Sequence, residues 1–256
     1  MTVRIERSSN IIKVLCIVLA AGIAVTGCTC GGGPSAEGPS FPENFLPEEI
    51  RSGGELAQRL ERNLDRLESE IYRPDAVFKD DDWPGDFVGR TILGTVLNSR
   101  ASGRAPRYLQ TIIEELPSHL NEKGYLGPVY EGKDEQQLSG HGWLLRGLCE
   151  YYTLSGDSSI VPLVKGIAAN LFLPSAQLYS SYPIDPEGRK KDTGAESGSI
   201  QNEIDGWRLS SDIGCVFIGM SGLIHAYSVL KFIPGTDETL IAGMKDCIER
   251  MLEKFR

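Results

Sequence analysis

Three short strings between Trp83 and Leu145 contain the residue types best suited to hold a ligand: WPGDFVGR, NEKGYLGP and QQLSGHGWLL. They bring an indole, a carboxylate, a tyrosine, two glutamines and a histidine to places where helices should begin or end. Helical scaffolds often build their pockets where helices meet. The strings therefore predict a binding site that includes Trp83, Asp86 and His141.

His141 is expected to begin a buried helix that runs to Leu154. A histidine at the mouth of such a helix would point into a central cavity and could hydrogen-bond a sugar hydroxyl. The alternative is a helix-start histidine whose ring is satisfied by the backbone.

Asp86 and Trp83 each allow two interpretations. Asp86 is either a ligand contact or the partner of Arg90 in an ion pair that also suits the helix N-terminus. Trp83, next to Pro84, is either a sugar platform or a hydrophobic cover over the helix entry.

His225 forms a polar stripe with Ser221 and Ser228 on an otherwise apolar helix. Buried polar groups need partners, so this stripe faces the same cavity or bonds back to helix carbonyls or within itself.

The connector from Pro174 to Asp212 is long enough to suggest a functional loop. Trp207 is a candidate aromatic contact for sugar there, and Tyr179 and Tyr182 add further rings. Glu203 and Asp205 are two residues apart, so an extended segment would project both carboxylates to one side. A glycosidase needs two such groups across the scissile bond, which makes this pair a possible dyad.

The scaffold that would hold these residues is predicted to be all-α. Helices over Phe87–Leu97, Gly142–Leu154 and Ile213–Leu230 are apolar nearly all round, whereas those over Tyr108–Leu120 and Leu240–Phe255 carry one apolar stripe. All-apolar helices are buried and striped helices are peripheral. Alternation of the two kinds, with glycine turns between them, predicts an α/α toroid of the (α/α)6-barrel type.

About three helical hairpins are present, which is half of what a closed ring of six would need. We therefore expect residues 51–256 to be the N-terminal half of a toroid domain, with a truncated relative of such a domain as the alternative.

The N-terminus is predicted to be a lipoprotein signal peptide, residues 1–27. Basic residues precede a short apolar run, and small residues then lead to Cys28, which is expected to become the lipidated residue. The alternatives are an ordinary signal peptide and a single anchor helix. Residues 28–50, rich in Gly, Pro and Ser, are expected to form a flexible tether. The domain would then be anchored by lipid to a membrane surface of the cell envelope, the outer membrane or the extracellular face in a Gram-negative cell.

The composition is ordinary for a globular protein: 256 residues, a net charge of −9 and 41% hydrophobic residues. Without a basic cluster, nucleic acid is not an expected partner. Cys149, Cys215 and Cys247 lie in apolar stretches without metal-ligand spacing, so they are interpreted as buried thiols and no complete metal site is visible.

The order W-x-G-D-x-x-G-R, G-Y-L-G-P and Q-L-S-G-H-G-W-L-L-R-G-L-C-E-Y-Y-x-L-S-G-D resembles the β-L-arabinofuranosidase-like glycoside hydrolases of family 127. The resemblance is clear from Trp83 to Asp157. It implies an (α/α)6 barrel, exo-acting hydrolysis of arabinofuranosides or related sugars, and a sugar contact for His141. Asp86 stands where the family more often has Glu.

The family's chemistry implies zinc and a cysteine nucleophile held on it. The motifs for both come from the later part of the barrel and have no match in this chain. The expected function is thus that of an exported hydrolase-like lipoprotein that is incomplete for catalysis in this chain, with a missing C-terminal half as a candidate partner. The alternatives are a non-catalytic carbohydrate-binding lipoprotein and a helical scaffold without a ligand.

Overall fold

The structure is a computed structural model that describes residues 53–79, 83–185, 200–210 and 213–256. These residues all fall within one unit of the chain, Gly38–Arg256. The predicted signal peptide, Cys28 and the tether over residues 28–50 lie outside the described residues.

The described chain is mostly helical, as predicted, with a small sheet. Seven α-helices of seven or more residues are described: α1 (Gly54–Leu67), α2 (Asp86–Ser102), α3 (Leu109–Glu115), α4 (Glu135–Ser155), α5 (Val161–Ile167), α6 (Gly214–Leu230) and α7 (Glu238–Lys254). Helix α4 begins six residues before His141, where the sequence had placed its start, because Asp134 caps it by accepting the Gln137 N–H at 2.8 Å.

Three helices, α2, α4 and α6, pack side by side and are called the inner helices here. Their backbones meet at glycines. A Cβ at Gly89 would lie 2.4 Å from Leu144 N, and one at Gly222 would lie 2.3 Å from Gly142 O. Only a residue without a side chain permits such an approach, so these glycines set the spacing of the layer.

The inner helices run parallel to one another. Along α2 and α4, Gly85 approaches Gly140, Gly89 approaches Leu144 and Arg100 reaches Glu150, so the residue numbers rise together. Because parallel neighbours cannot be joined by a tight turn, the chain must return between them. The return segments contain α3 and α5, and α7 follows the third inner helix, which is a hairpin pattern of inner and outer helices.

Two of the predicted glycine turns close inner helices as expected. Gly103 ends α2 with φ of 71°, and Gly156 ends α4 with φ of 70°. Both donate their N–H to a carbonyl four residues back, which is the left-handed cap that glycine adopts without steric cost.

The return segment after α4 is a continuous helical stretch, Ser158–Ser181, in which a π turn (Ala168–Phe172) and a 3-10 turn (Leu173–Ser181) follow α5. Among the described residues it is the one helix of 18 or more residues apolar enough to cross a membrane, and half of its apolar window is buried in the fold. Core helices have the same length and composition, so the finding is weak support for a membrane span.

A three-stranded sheet, not predicted for an all-α chain, lies at the start of α4. Strand β1 (Lys133–Asp134) pairs in parallel with β3 (Trp207–Ser210), which pairs antiparallel with β2 (Ile200–Ile204). Asp205 and Gly206 form the turn, with φ of 50° and 80°. The long connector thus contains a 3-10 helix and a β-hairpin in its described parts.

Candidate functional site

The three strings lie against one another in the structure. Gln137 donates to the carbonyls of Leu126 and Pro128 at 3.0 and 2.9 Å. Gly127 lies under Pro84, where a Cβ would meet the proline ring at 2.3 Å. Contacts among the three segments therefore hold the Asn121–Pro128 loop against the adjoining ends of α2 and α4.

His141 makes the central contact between α4 and the Asn121–Pro128 loop. Its ring is fully buried, Nε2 accepts the Leu126 N–H at 2.9 Å, and Nδ1 donates to the Gln137 carbonyl at 2.7 Å. Both ring nitrogens are thus engaged by backbone, and neither remains for a sugar hydroxyl. The structure matches the backbone-satisfied alternative, and His141 is left out of the proposed site.

Burial lowers the pKa of His141 to about 4, against a usual value near 6.5. The unfolded chain binds this proton at a higher pH than the folded chain does, so protonation favours unfolding. The stability that depends on neutral His141 is therefore fully present above pH 6.5. We expect about 3 kcal/mol of stability to be lost as pH falls from 6.5 to 4.

Urea unfolding between pH 7.5 and 4 tests this expectation. The His141→Gln variant should lose the corresponding part of the pH dependence, whereas His225→Gln should retain it. Identical slopes for wild type and His141→Gln would contradict the assignment.

Asp86 occupies the first turn of α2 and is nearly buried, with an Oδ1 to Arg90 Nε distance of 2.6 Å. The structure therefore contains the Asp86–Arg90 ion pair of the second interpretation. A ligand contact at Asp86 stays a prediction.

Trp83 is half-buried and lies just before α2. Together with Pro84, Phe87 and His119, it lines a cavity of about 110 Å³. This volume is well below the several hundred Å³ of ordinary ligand sites. The position fits a cover over the helix entry better than a platform for a sugar.

His225 lies on α6, where Nε2 is 3.3 Å from Glu150 Oε1 on α4. Glu150 also pairs with Arg100 on α2 at 2.9 Å. The hydrogen bond to His225 and the charge of Arg100 lower the pKa of Glu150. The network links all three inner helices, so the His225 ring has its partner on a neighbouring helix. Within the stripe, the Ser228 hydroxyl donates to the His225 carbonyl at 2.7 Å, as the second interpretation predicts.

Trp207 is fully buried, and its Nε1 donates to the Leu178 carbonyl at 3.0 Å. Its ring packs against Tyr179 and Tyr182, with centroids 5.1 and 4.9 Å away. The Trp207 indole therefore packs with the other aromatic residues of the connector as core and is not exposed as a platform for a sugar.

Glu203 and Asp205 do not share an extended segment, which corrects the premise of a dyad. Glu203 lies in β2 and pairs with Arg208 at 3.0 Å, whereas Asp205 lies in the hairpin turn. Both are exposed. They line a cleft of about 360 Å³ together with Tyr130, Glu131, Trp207 and Arg208.

The cleft is organised around Arg208. Its guanidinium carbon lies 3.9 Å from the centre of the Tyr130 ring, and the same side chain pairs with Asp134 at 3.1 Å. One cation thus connects the cap of α4, the β-hairpin and the aromatic ring. Sequence reasoning missed Tyr130 and Arg208, since nothing in their local spacing shows that a hairpin brings them together.

A buried polar cluster under this cleft was also missed. Glu135, fully buried in the first turn of α4, accepts the Tyr182 hydroxyl, the Ser210 N–H at 2.8 Å and the Ser210 hydroxyl at 3.1 Å. Cys215 lies beside it, 3.3 Å from Ser210 Oγ and 3.0 Å from Gln136 Oε1. The cluster connects α4, the sheet, the connector and α6.

The residues in the described ranges do not fit a zinc site. They contain no group of three or more His, Cys, Asp or Glu residues placed to hold a metal. Cys149 and Cys247 are buried, and burial raises the pKa of each thiol to about 12. A cysteine that ligates zinc must be a thiolate, and burial of this kind opposes the loss of the proton.

The predicted site residues are not brought together as one pocket. His141 faces the Asn121–Pro128 loop, Trp207 lies in the core, and His225 faces Glu150. No protein-family model, curated protein or solved structure matches this chain.

Proposed function

We propose that this protein is a carbohydrate-binding lipoprotein of the cell envelope, built on the α/α-toroid scaffold of the family 127 glycoside hydrolases that its motifs resemble. Its ligand is a glycan with arabinofuranose or related sugars. The predicted lipid anchor at Cys28 would hold the binding domain at the membrane surface.

The cleft beside Tyr130 carries the proposal. It combines the aromatic ring of Tyr130 with the carboxylates of Glu131, Glu203 and Asp205, in a volume typical of small-ligand sites. Carboxylate oxygens accept hydrogen bonds from sugar hydroxyls, and an aromatic face packs against the apolar side of a sugar ring.

The scaffold supports the proposal in a second way. Parallel inner helices connected through outer helices are what a toroid of α-hairpins requires. The cleft lies at the start of inner helix α4, where the sheet and the loop before it add side chains to the end of the helix.

We assign binding to this cleft, without bond cleavage. A glycosidase needs one carboxyl group to protonate the leaving oxygen and a second group to attack or to activate water. Glu203 already pairs with Arg208, and Asp205 lies in the adjoining turn.

The test is calorimetric titration of the full-length protein in detergent with arabinofuranosyl oligosaccharides. Tyr130→Ala should weaken binding about tenfold, because it removes the aromatic contact and the support of Arg208. Phe232→Ala removes an exposed aromatic ring outside the cleft and should leave binding unchanged.

Two results would contradict the proposal. The first is the absence of heat with any glycan from folded protein. The second is release of free arabinose during the titration, which would make the protein a hydrolase.

A further inference from the structure

Inner helix α4 has one face that is not buried. Between Glu135 and Tyr151 the positions that escape burial are Trp143, Arg146 and Glu150. Steps of three and four residues place them on one side of the helix. We call the surface that contains these three residues and the side chains bonded to them from α2 and α6 the open face.

Cations dominate the open face. Arg90 and Arg146 place their guanidinium carbons 5.0 and 5.2 Å from the centre of the Trp143 ring. With Arg100, this makes three guanidinium groups against the carboxylates of Asp86 and Glu150. The excess is local, since the whole chain has a net charge of −9.

Two of the three arginines on this face have a carboxylate partner among the described residues, and the third does not. Arg90 is paired with Asp86, and Arg100 is paired with Glu150. Within the described part of the chain, Arg146 has its contact with the Trp143 ring and no carboxylate partner. The indole N–H of Trp143 is buried and, among the same residues, has no acceptor.

A guanidinium without a carboxylate partner among the described residues points to an anionic ligand at this position. Arginine offers a planar fork of N–H groups that matches a carboxylate in two parallel bonds. The Trp143 ring holds both guanidinium groups in place, which lowers the entropy lost when they bind a ligand.

The rest of the open face fits hydroxyl groups. Glu150 and His225 lie one to two turns further along and offer a carboxylate and an imidazole that can bond sugar hydroxyls. A ligand with one carboxylate and several hydroxyls would use both parts, whereas an inorganic anion would use the arginines alone.

We propose that Arg90, Trp143 and Arg146 form a binding site for the carboxylate of an acidic sugar, a uronate residue of a glycan. The site is separate from the cleft at Tyr130, since none of its three residues lines that cleft. Each proposal can therefore fail without the other.

The experiment titrates the full-length protein with a trigalacturonide and, as its neutral counterpart, a galactotriose. We expect the acidic sugar to bind at least about tenfold more tightly, with a preference that weakens as salt is raised. Sulfate and phosphate are titrated separately, and they should bind more weakly than the trigalacturonide.

Arg146→Gln should weaken trigalacturonide binding about tenfold or more, because it removes a charged hydrogen-bond donor. Arg62→Gln, on the exposed side of α1, changes the net charge equally and should have no effect. Trp143→Phe retains a smaller ring under the two guanidinium groups, so it should weaken binding by a smaller factor. Tyr130→Ala should leave trigalacturonide binding intact.

Equal binding of the acidic and neutral sugars would overturn the inference, and so would wild-type affinity in folded Arg146→Gln. Tighter binding of sulfate or phosphate than of the trigalacturonide would exclude a sugar site. Loss of trigalacturonide binding in Tyr130→Ala would place the ligand in the cleft instead. Failure of arabinofuranosyl binding alone would count against the cleft and leave the open face untouched.

Discussion

Replacing Gly222 with alanine is expected to destabilise the domain by about 2 to 3 kcal/mol, although alanine is the better helix former. A Cβ at this position would lie 2.3 Å from the carbonyl oxygen of Gly142 and 2.4 Å from its Cα. Both atoms are backbone, so no side-chain rotation can relieve the contact, and helices α4 and α6 must move apart.

The opposing effect is smaller. In a helix interior, alanine stabilises the fold by about 1 kcal/mol relative to glycine. Forcing two packed helices apart costs about 3 kcal/mol. The steric effect therefore decides the sign.

Gly166→Ala is the matched control, since Gly166 also lies in a helix and the nearest atom to an added Cβ is 3.8 Å away. It should be neutral or stabilising by up to about 1 kcal/mol. Urea unfolding followed by circular dichroism gives both values. Equal stability of the two variants would show that the inner helices are not in backbone contact at Gly222.

Replacing Glu135 with alanine is expected to reduce the free energy of unfolding by about 3 to 5 kcal/mol. The carboxylate is fully buried and accepts hydrogen bonds from Tyr182 and from both the N–H and the hydroxyl of Ser210. Its removal leaves several buried donors without an acceptor and opens a cavity at the junction of α4 and β3.

Glu135→Gln should recover only part of this stability. The amide has one acceptor oxygen, so its NH₂ group would face a donor at the other position. The order wild type, Gln variant, Ala variant is thus expected in urea unfolding.

Glu55→Ala provides the comparison for a surface carboxylate. Glu55 pairs with Arg59 across one turn of α1 and is 73% exposed, so its loss should change stability by less than about 0.5 kcal/mol. A Glu135→Ala variant as stable as Glu55→Ala would mean that the buried cluster does not hold the sheet to α4.

The sequence predicted most helices well because burial and periodicity are linked locally. Continuous apolar runs marked α2 and α6, and a single stripe marked α7, whose buried side chains include Met244, Cys247 and Met251. The glycine turns at Gly103 and Gly156 also followed from the chain alone, since few other residues adopt the left-handed conformation easily.

The sequence of the hairpin indicates its turn. An Asp-Gly pair between two extended segments is typical of a type I′ hairpin turn, and Asp205 and Gly206 both have positive φ. The burial of Trp207 could not be predicted locally, because it depends on Tyr179 and Tyr182, which lie about 25 residues earlier in the chain.

By itself, the sequence determined the mostly helical class, the alternation of buried and peripheral helices, and the glycines that end the inner helices. Each of these depends on the periodicity or backbone preference of a few neighbouring residues. The tertiary structure decided the role of every polar residue, since the partner of a buried polar group lies far along the chain. His141 therefore fastens a loop, while Arg146 and Trp143, unremarkable in the sequence, share the open face with Arg90.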